Sequence, residues 1–182
     1  MEIKQASIQF NWKQKMIGDH VVVSKKIYKD AKDFYESKAD LDENTEMYRV
    51  ISQVDSDICE GHLNWGVSIL NPVYVNEECN MTRGHFHEDM NCQEYYWCMS
   101  GCGYLMLMDE NGKCWLEEMK EGSLHLIDGH NAHRLINTSD EPLEVVCCWN
   151  NNAGHDYKRV QEHPFPVRVF KKNGKIYFKE QV

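Results

Sequence analysis

Residues 82–103 read "TRGHFHEDMNCQEYYWCMSGCG". Two histidines stand one residue apart, a glutamate follows seven residues after the second, and three glycines punctuate the segment. Alternation along an extended chain sends residues i and i+2 to one face, so His85 and His87 point together with Phe86 opposed. Glu94 opens the next β-type run, "EYYWCMS", where a hairpin is expected to bring its carboxylate beside the two imidazoles. A further histidine, His133, follows the turn "IDGHN" at the start of another run. Three imidazoles and one carboxylate form an N/O donor set of borderline hardness. Such a set suits a divalent first-row ion (iron, manganese, nickel or zinc) with positions left open for substrate.

The chain around this segment is built of similar short runs. From Tyr48 onward come "MYRVISQV", "WGVSILNPVYV", "GYLMLMDE", "CWLEEM", "SLHLI", "HRLINT", "LEVVCCWN" and "VRVFKKNGKIYFKE". Turn signals such as "ENGK", "KEGS" and "SDEP" separate them, and "KKNGK" predicts a tight hairpin. Many short strands with almost no helix predict a β-sandwich or barrel. "GCG" at 101–103 reads as a tight turn between strands, and Tyr95 and Trp97 as core or wall. Residues 1–47 read as a polar, charge-mixed arm of the same domain. Its one helical stretch is "DAKDFYESKADLDENTE", with Asp30 as N-cap. Residues 48–182 form the β domain.

Composition narrows the function. A formal charge of −9 and a pI near 5.4 disfavour nucleic-acid or anionic-membrane partners, which call for a basic face. The opening "MEIKQASIQFNWKQ" has no signal-peptide pattern, and no apolar run reaches the length of a membrane span. A cytoplasmic protein is expected. The eight cysteines contain no C-x-x-C pair, and several alternate with apolar residues as small hydrophobes would. His20, His62, His125, His130 and His163 lack donor companions and read as packed or surface side chains.

"GHFHEDMNCQEYYWCMSGCG" resembles the first cupin motif, here with six residues between the second histidine and the glutamate. "EGSLHLIDGHNAHRLIN" resembles the second, supplying Gly122, His133 and Asn137, with Asp128 in place of the usual proline and His130 in place of the usual glycine. Together with "TRGHFH", "EYY" and "NAGHDY", the chain from about residue 45 onward resembles the cupin-type glucose-6-phosphate isomerases of archaea and some bacteria. That resemblance implies an all-β cupin fold, a double-stranded β-helix or jelly-roll barrel.

It also implies roles for particular residues. His85, His87, Glu94 and His133 match the metal ligands, with Glu94, His133 and Tyr96 as the catalytic set. Tyr48, Ser68, Thr82, Gly84 and Tyr157 match the phosphate-binding positions, where Ser68 replaces a common threonine. His155 and Tyr96 match residues that face the substrate cavity. Arg83 alternates away from Thr82 and Gly84 and reads as an exposed structural residue. One divalent ion per subunit is implied, Fe2+ first, with Mn2+, Ni2+ and Zn2+ as alternatives. The family also implies a sugar-phosphate substrate and a homodimer. Aldose–ketose interconversion then proceeds either by proton transfer through Glu94 or by hydride shift. Two rivals stand beside it: a cupin dioxygenase with the same donor set, and a sugar-phosphate-binding module without turnover.

Overall fold

A computed structural model describes residues 2–6, 8–11, 13, 15–54 and 57–181. In chain order the strands are β1 (Ile8–Asn11), β2 (Lys15–Gly18), β3 (Val21–Ile27), β4 (Glu46–Gln53), β5 (Leu63–Leu70), β6 (Tyr74–Val75) and β7 (Glu78–Cys79). Then follow β8 (Glu94–Ser100), β9 (Cys102–Met108), β10 (Cys114–Lys120), β11 (Leu124–Ile127), β12 (Ala132–Asn137), β13 (Leu143–Asn150), β14 (Val167–Lys172) and β15 (Lys175–Glu180). Two short helices, α1 (Tyr28–Ala31) and α2 (Tyr157–Glu162), interrupt them, and a 3-10 turn at Lys32–Phe34 follows α1.

A six-stranded antiparallel sheet, β11-β8-β13-β5-β4-β3, faces a three-stranded sheet, β10-β9-β12. The extended chain before β8 prolongs the smaller sheet through bridges of Met81 to Ile136 and His85 to His133. This is the jelly roll expected of a cupin. The period of two along β8 shows how the sequence directs it. Glu94, Tyr96 and Cys98 are buried, whereas Tyr95 and Trp97 are 48% and 41% exposed. Those two aromatics therefore lie on the outer face and are not core.

Between the sheets, Leu70, Leu105, Leu107, Met119, Ile127, Leu135, Leu143 and Val145 pack with Cys98 and Cys147. Each fully buried leucine or isoleucine contributes about 1.5–3 kcal/mol of hydrophobic stabilisation. Cys79, Cys98 and Cys147 are buried free thiols, which is the apolar role their alternation suggested. On the outer face of the large sheet, Ile51, Val67, Ile69, Met99 and Val146 are covered by Met16 from β2. Outside the small sheet, Met106, Met108 and Ile136 pack against Tyr28 and Ala31 of α1, Val160 of α2 and Val169 of β14.

The structure departs from the sequence reading at several places. Residues 1–47 hold β1, β2 and β3 and the first two residues of β4, and β3 is an edge strand of the main sheet. Its register on β4, such as Val23 opposite Ile51, satisfies backbone groups that a polar arm would leave to water. The expected helix is only one turn long and its N-cap is Ile27, with Asp30 inside it. The "GCG" segment turns the chain from β8 in one sheet to β9 in the other, so it is a corner between sheets. Glu94 likewise reaches the histidines across the barrel, because residues 88–93 cross from the small sheet to the large one. No hairpin joins them. "KKNGK" behaves as expected: Asn173 and Gly174 have φ of 49° and 74°, and Lys172 pairs with Lys175 across a two-residue turn.

Candidate active site

The segment that carries His85 and His87 is held on both sides. His85 and His133 exchange backbone hydrogen bonds, N–H to O, at 3.3 and 3.0 Å. Phe86 and Asp156 are bridged in the same way, which docks the chain before α2 against the histidines. Phe86 itself is buried in the core outside the small sheet, so His85 and His87 turn toward the barrel interior. Glu94 enters from β8, paired with Trp149 of β13 and Ile127 of β11.

These four residues converge. One donor atom from each of His85, His87, Glu94 and His133 lies within 4.8 Å of all the others. Glu94 Oε2 is 3.4 Å from His87 Nε2 and 3.3 Å from His133 Nε2. Nδ1 of His87 is 2.9 Å from the Cys92 carbonyl, so its N–H donates there and Nε2 keeps a free lone pair. Nε2 of His133 is buried and makes no hydrogen bond with any described residue, because its contact with Glu94 is poorly aligned. A buried nitrogen left without a partner is costly unless something else binds it. With neutral imidazoles and a carboxylate as donors, the residues present fit a divalent cation.

The titration behaviour of His85 and Glu94 agrees with that donor set, whereas that of His87 favours its protonated form. Burial lowers the His85 pKa well below the ordinary imidazole value, and charge on His133, His155 or His87 would lower it further. Burial opposes charge on His87 as well, but the adjacent Glu94 carboxylate and the Cys92 carbonyl outweigh it and raise its pKa. For Glu94, burial favours the neutral acid, yet His133 and His87 hold its pKa below the usual carboxylate value. Tyr96 stays a neutral phenol, raised well above its ordinary value by burial and then by the Glu94 charge.

A cavity of about 300 Å³ opens onto this cluster. Every site residue named from the sequence lines it except His87, which is 2% exposed and sits behind the others. Tyr48 projects from β4, Ser68 from β5, Thr82 and Gly84 from the extended segment, and Tyr157 from the first position of α2. Asp156 caps that helix by accepting a hydrogen bond from the Arg159 N–H at 3.0 Å, which sets where Tyr157 begins. The His155 ring lies 4.3 Å from that of His85 and is stacked with Tyr157 at 5.7 Å. Thr82 Oγ1 accepts the Leu135 N–H at 3.0 Å. That bond occupies an acceptor position and leaves the hydroxyl proton to donate elsewhere. Gly84 has φ of +78°, and a Cβ there would collide with Phe165 and crowd Arg134. Glycine is required at that bend.

The cavity also contains residues that the sequence reading missed. Val50 and Ser52 follow Tyr48 at steps of two along β4 and share its face, a pattern that was readable. Ser24 comes from β3, within the segment taken as an arm. Arg83 lines the cavity too, with its guanidinium 4.5 Å over the Tyr157 ring, so the exposed structural role expected from alternation is corrected. Strict alternation fails there because residues 82–84 belong to no regular strand. Of the solitary histidines, His125 is held by Glu117 and Ser123 at 2.6 and 2.9 Å, and His130 lies near Glu110 on the surface. Neither approaches the cluster.

Fold and site together define an all-β cupin barrel with a buried centre of three histidines and one glutamate able to hold a metal ion. The model of the family "Glucose-6-phosphate isomerase (GPI)" matches residues 18–180, and the chain belongs to that family. The glucose-6-phosphate isomerase of Thermococcus litoralis is 33% identical over 127 residues, 70% of this chain and 67% of its own. That of Pyrococcus horikoshii is 32% identical over 134 residues, 74% of this chain and 70% of its own. Among solved structures, a mutant of Bacillus subtilis oxalate decarboxylase aligns with a TM-score of 0.48 and 16% identity, over 59% of this chain and 27% of that one.

Proposed function

We propose that the protein interconverts glucose 6-phosphate and fructose 6-phosphate as a metal-dependent aldose–ketose isomerase. One observation carries the reading: a single cavity joins the four-donor cluster to the hydroxyl-bearing side chains of Tyr48, Ser68, Thr82 and Tyr157. A sugar phosphate needs both, one set for its carbonyl end and one for its anionic end. Leu135, bonded to Thr82, lies two residues along β12 from His133, so the two sets are offset by about 7 Å along the strand.

His85, His87, Glu94 and His133 would hold the ion, with iron(II) our first choice and manganese, nickel and zinc the alternatives. When bound, a divalent cation supplies Lewis acidity for the carbonyl and charge stabilisation for the neighbouring oxygen. Glu94, kept ionised by its histidine neighbours, takes the proton from the carbon beside the carbonyl and returns it to the carbonyl carbon, while the hydroxyl proton passes to the carbonyl oxygen. Tyr96, kept neutral, donates a hydrogen bond to a substrate oxygen. Burial lowers the His155 pKa, so this ring meets the sugar as a neutral imidazole. The Thr82 hydroxyl donates a hydrogen bond to a phosphate oxygen, and Ser68, Tyr48 and Tyr157 act in the same way. Binding energy from the phosphate then holds the reacting carbons in place.

The same reading makes residues 1–47 part of one domain with 48–182, since Ser24 lines the cavity. It also makes the protein a cytoplasmic homodimer, consistent with cysteines that are all free thiols. No helix among the described residues is long and apolar enough to cross a membrane. The test is a coupled assay of fructose 6-phosphate conversion on EDTA-treated protein, with each metal restored singly. Turnover should vanish on chelation and return with at least one ion. Failure with every ion, or oxygen uptake instead of isomerisation, overturns the proposal.

A further inference from the structure

We infer that Arg83 is the countercharge for the substrate's phosphate, a specificity residue of the cavity that the family motif does not include. This deepens the isomerase reading and rests on it. Arg83 is the only lysine or arginine among the residues lining the cavity. The protein carries a formal charge of −9, so a dianionic group entering this space meets a repulsive long-range field. Hydroxyls can donate hydrogen bonds to it, but a guanidinium also offsets its charge.

The other arginines are committed to the protein. Arg168 donates to the Phe34 carbonyl and pairs with Glu78, and Arg159 pairs with Glu110. Arg134 donates to the Arg83 carbonyl at 2.8 Å and to Met81 sulfur, and Arg49 lies 3.5 Å from Glu46. Arg83 alone has no side-chain hydrogen bond and no ion pair with any described residue. It is held by aromatic faces, 4.5 Å above the Tyr157 ring and 5.8 Å from the Phe34 ring. Stacking fixes the plane of a guanidinium while leaving its in-plane N–H donors uncommitted. Those donors suit bidentate recognition of a phosphate. The neighbours Thr82, Gly84 and Tyr157 make up the rest of that wall.

Metal-loaded wild type, R83Q and R83K are compared for fructose 6-phosphate kinetics and for binding of inorganic phosphate by calorimetry. R83Q should raise KM by about 10-fold to 100-fold, weaken phosphate binding by a similar factor, and leave kcat and metal content near wild type. R83K should recover part of both losses, because charge returns without the planar fork. Unchanged KM and phosphate affinity in a folded R83Q overturn the inference, as does a fall confined to kcat. If R83Q loses its near-ultraviolet dichroism, R83K decides: wild-type values for both quantities overturn the inference, and intermediate ones support it. Absence of turnover in the wild type counts against the isomerase reading, whereas phosphate binding lost in R83Q would still support the Arg83 site.

Discussion

The four-donor part of the cavity and its proposed anion-binding part differ in how the chain builds them. The donors stand on, or are bridged to, regular strands: His133 on β12, His85 bonded to it through the backbone, and Glu94 at the head of β8. Their surroundings are tied as well, down to the Cys92 carbonyl that orients His87. The proposed anion-binding part draws its residues from β4, β5, a bent segment and the start of a short helix. Tyr48 is tied to the Arg83 backbone, but Tyr157 is not held in this way and remains 38% exposed. Chemistry that tolerates little displacement sits on the stiffest scaffold. Recognition of a charged group at the substrate's far end accepts a looser one.

This contrast can be broken experimentally. The largest effect is expected from His133→Ala or His85→Ala, which remove a donor from a cluster spanning less than 5 Å. Metal should disappear from elemental analysis and kcat/KM should fall by about 1000-fold or more, corresponding to several kcal/mol of lost charge stabilisation. A metal-free variant with full turnover would remove the centre from the mechanism.

Glu94→Gln comes next and asks whether the carboxylate is more than a donor. As the base, it should lose about 100-fold or more in kcat while metal remains measurable. Deuterium at C2 of glucose 6-phosphate should then wash partly into water with the wild type. Full retention at C1, together with near-normal turnover of the variant, would leave hydride shift as the mechanism.

Gly129→Ala tests how far the stiffness extends beyond the donors. A Cβ at 129 would press on the carbonyls of Met90 and Cys92, and the second of these orients His87. Metal affinity should drop by about 10-fold to 100-fold, as when a partner behind a ligand is disturbed. Unchanged affinity by competition with a chelator would show that the 88–93 loop yields freely.

The smallest effect should come from the other part of the cavity. Tyr157→Phe removes a hydroxyl that makes no hydrogen bond with a described residue, so folding should hardly change. Loss of a bond to a charged phosphate costs about 1.5–3 kcal/mol, and the lower end of that range corresponds to about 10-fold in KM. The kcat value should stay within about 3-fold of wild type if the contact is equally strong in ground and transition states. A kcat loss as large as that of Glu94→Gln would erase the distinction between the two parts.

The donors were legible because a period of two needs only neighbouring residues to be read. Spacing alone placed His85 and His87 on one face, while Tyr96 was named only through the resemblance. It also exposed the two-residue turn at Asn173 and Gly174. The helix at Tyr157–Glu162 was missed, since six residues carry too little periodicity, although Asp156 three residues before Arg159 was a capping signal. The β-branched run of β3 was also passed over in a segment otherwise rich in charge.

By itself, then, the sequence determined the all-β class and most strand positions, with the four donors named through spacing and motif and the hydroxyl set through the family resemblance alone. Tertiary structure alone decided that Glu94 approaches from the opposite sheet, and that Ser24 and Arg83 line the cavity. The physical reason is range. Alternation is a property of one strand, whereas these placements depend on sheet pairing across distant residues and on residues 82–84 leaving the regular strand geometry. Such a break removes the period of two without altering the local pattern of polar and apolar residues.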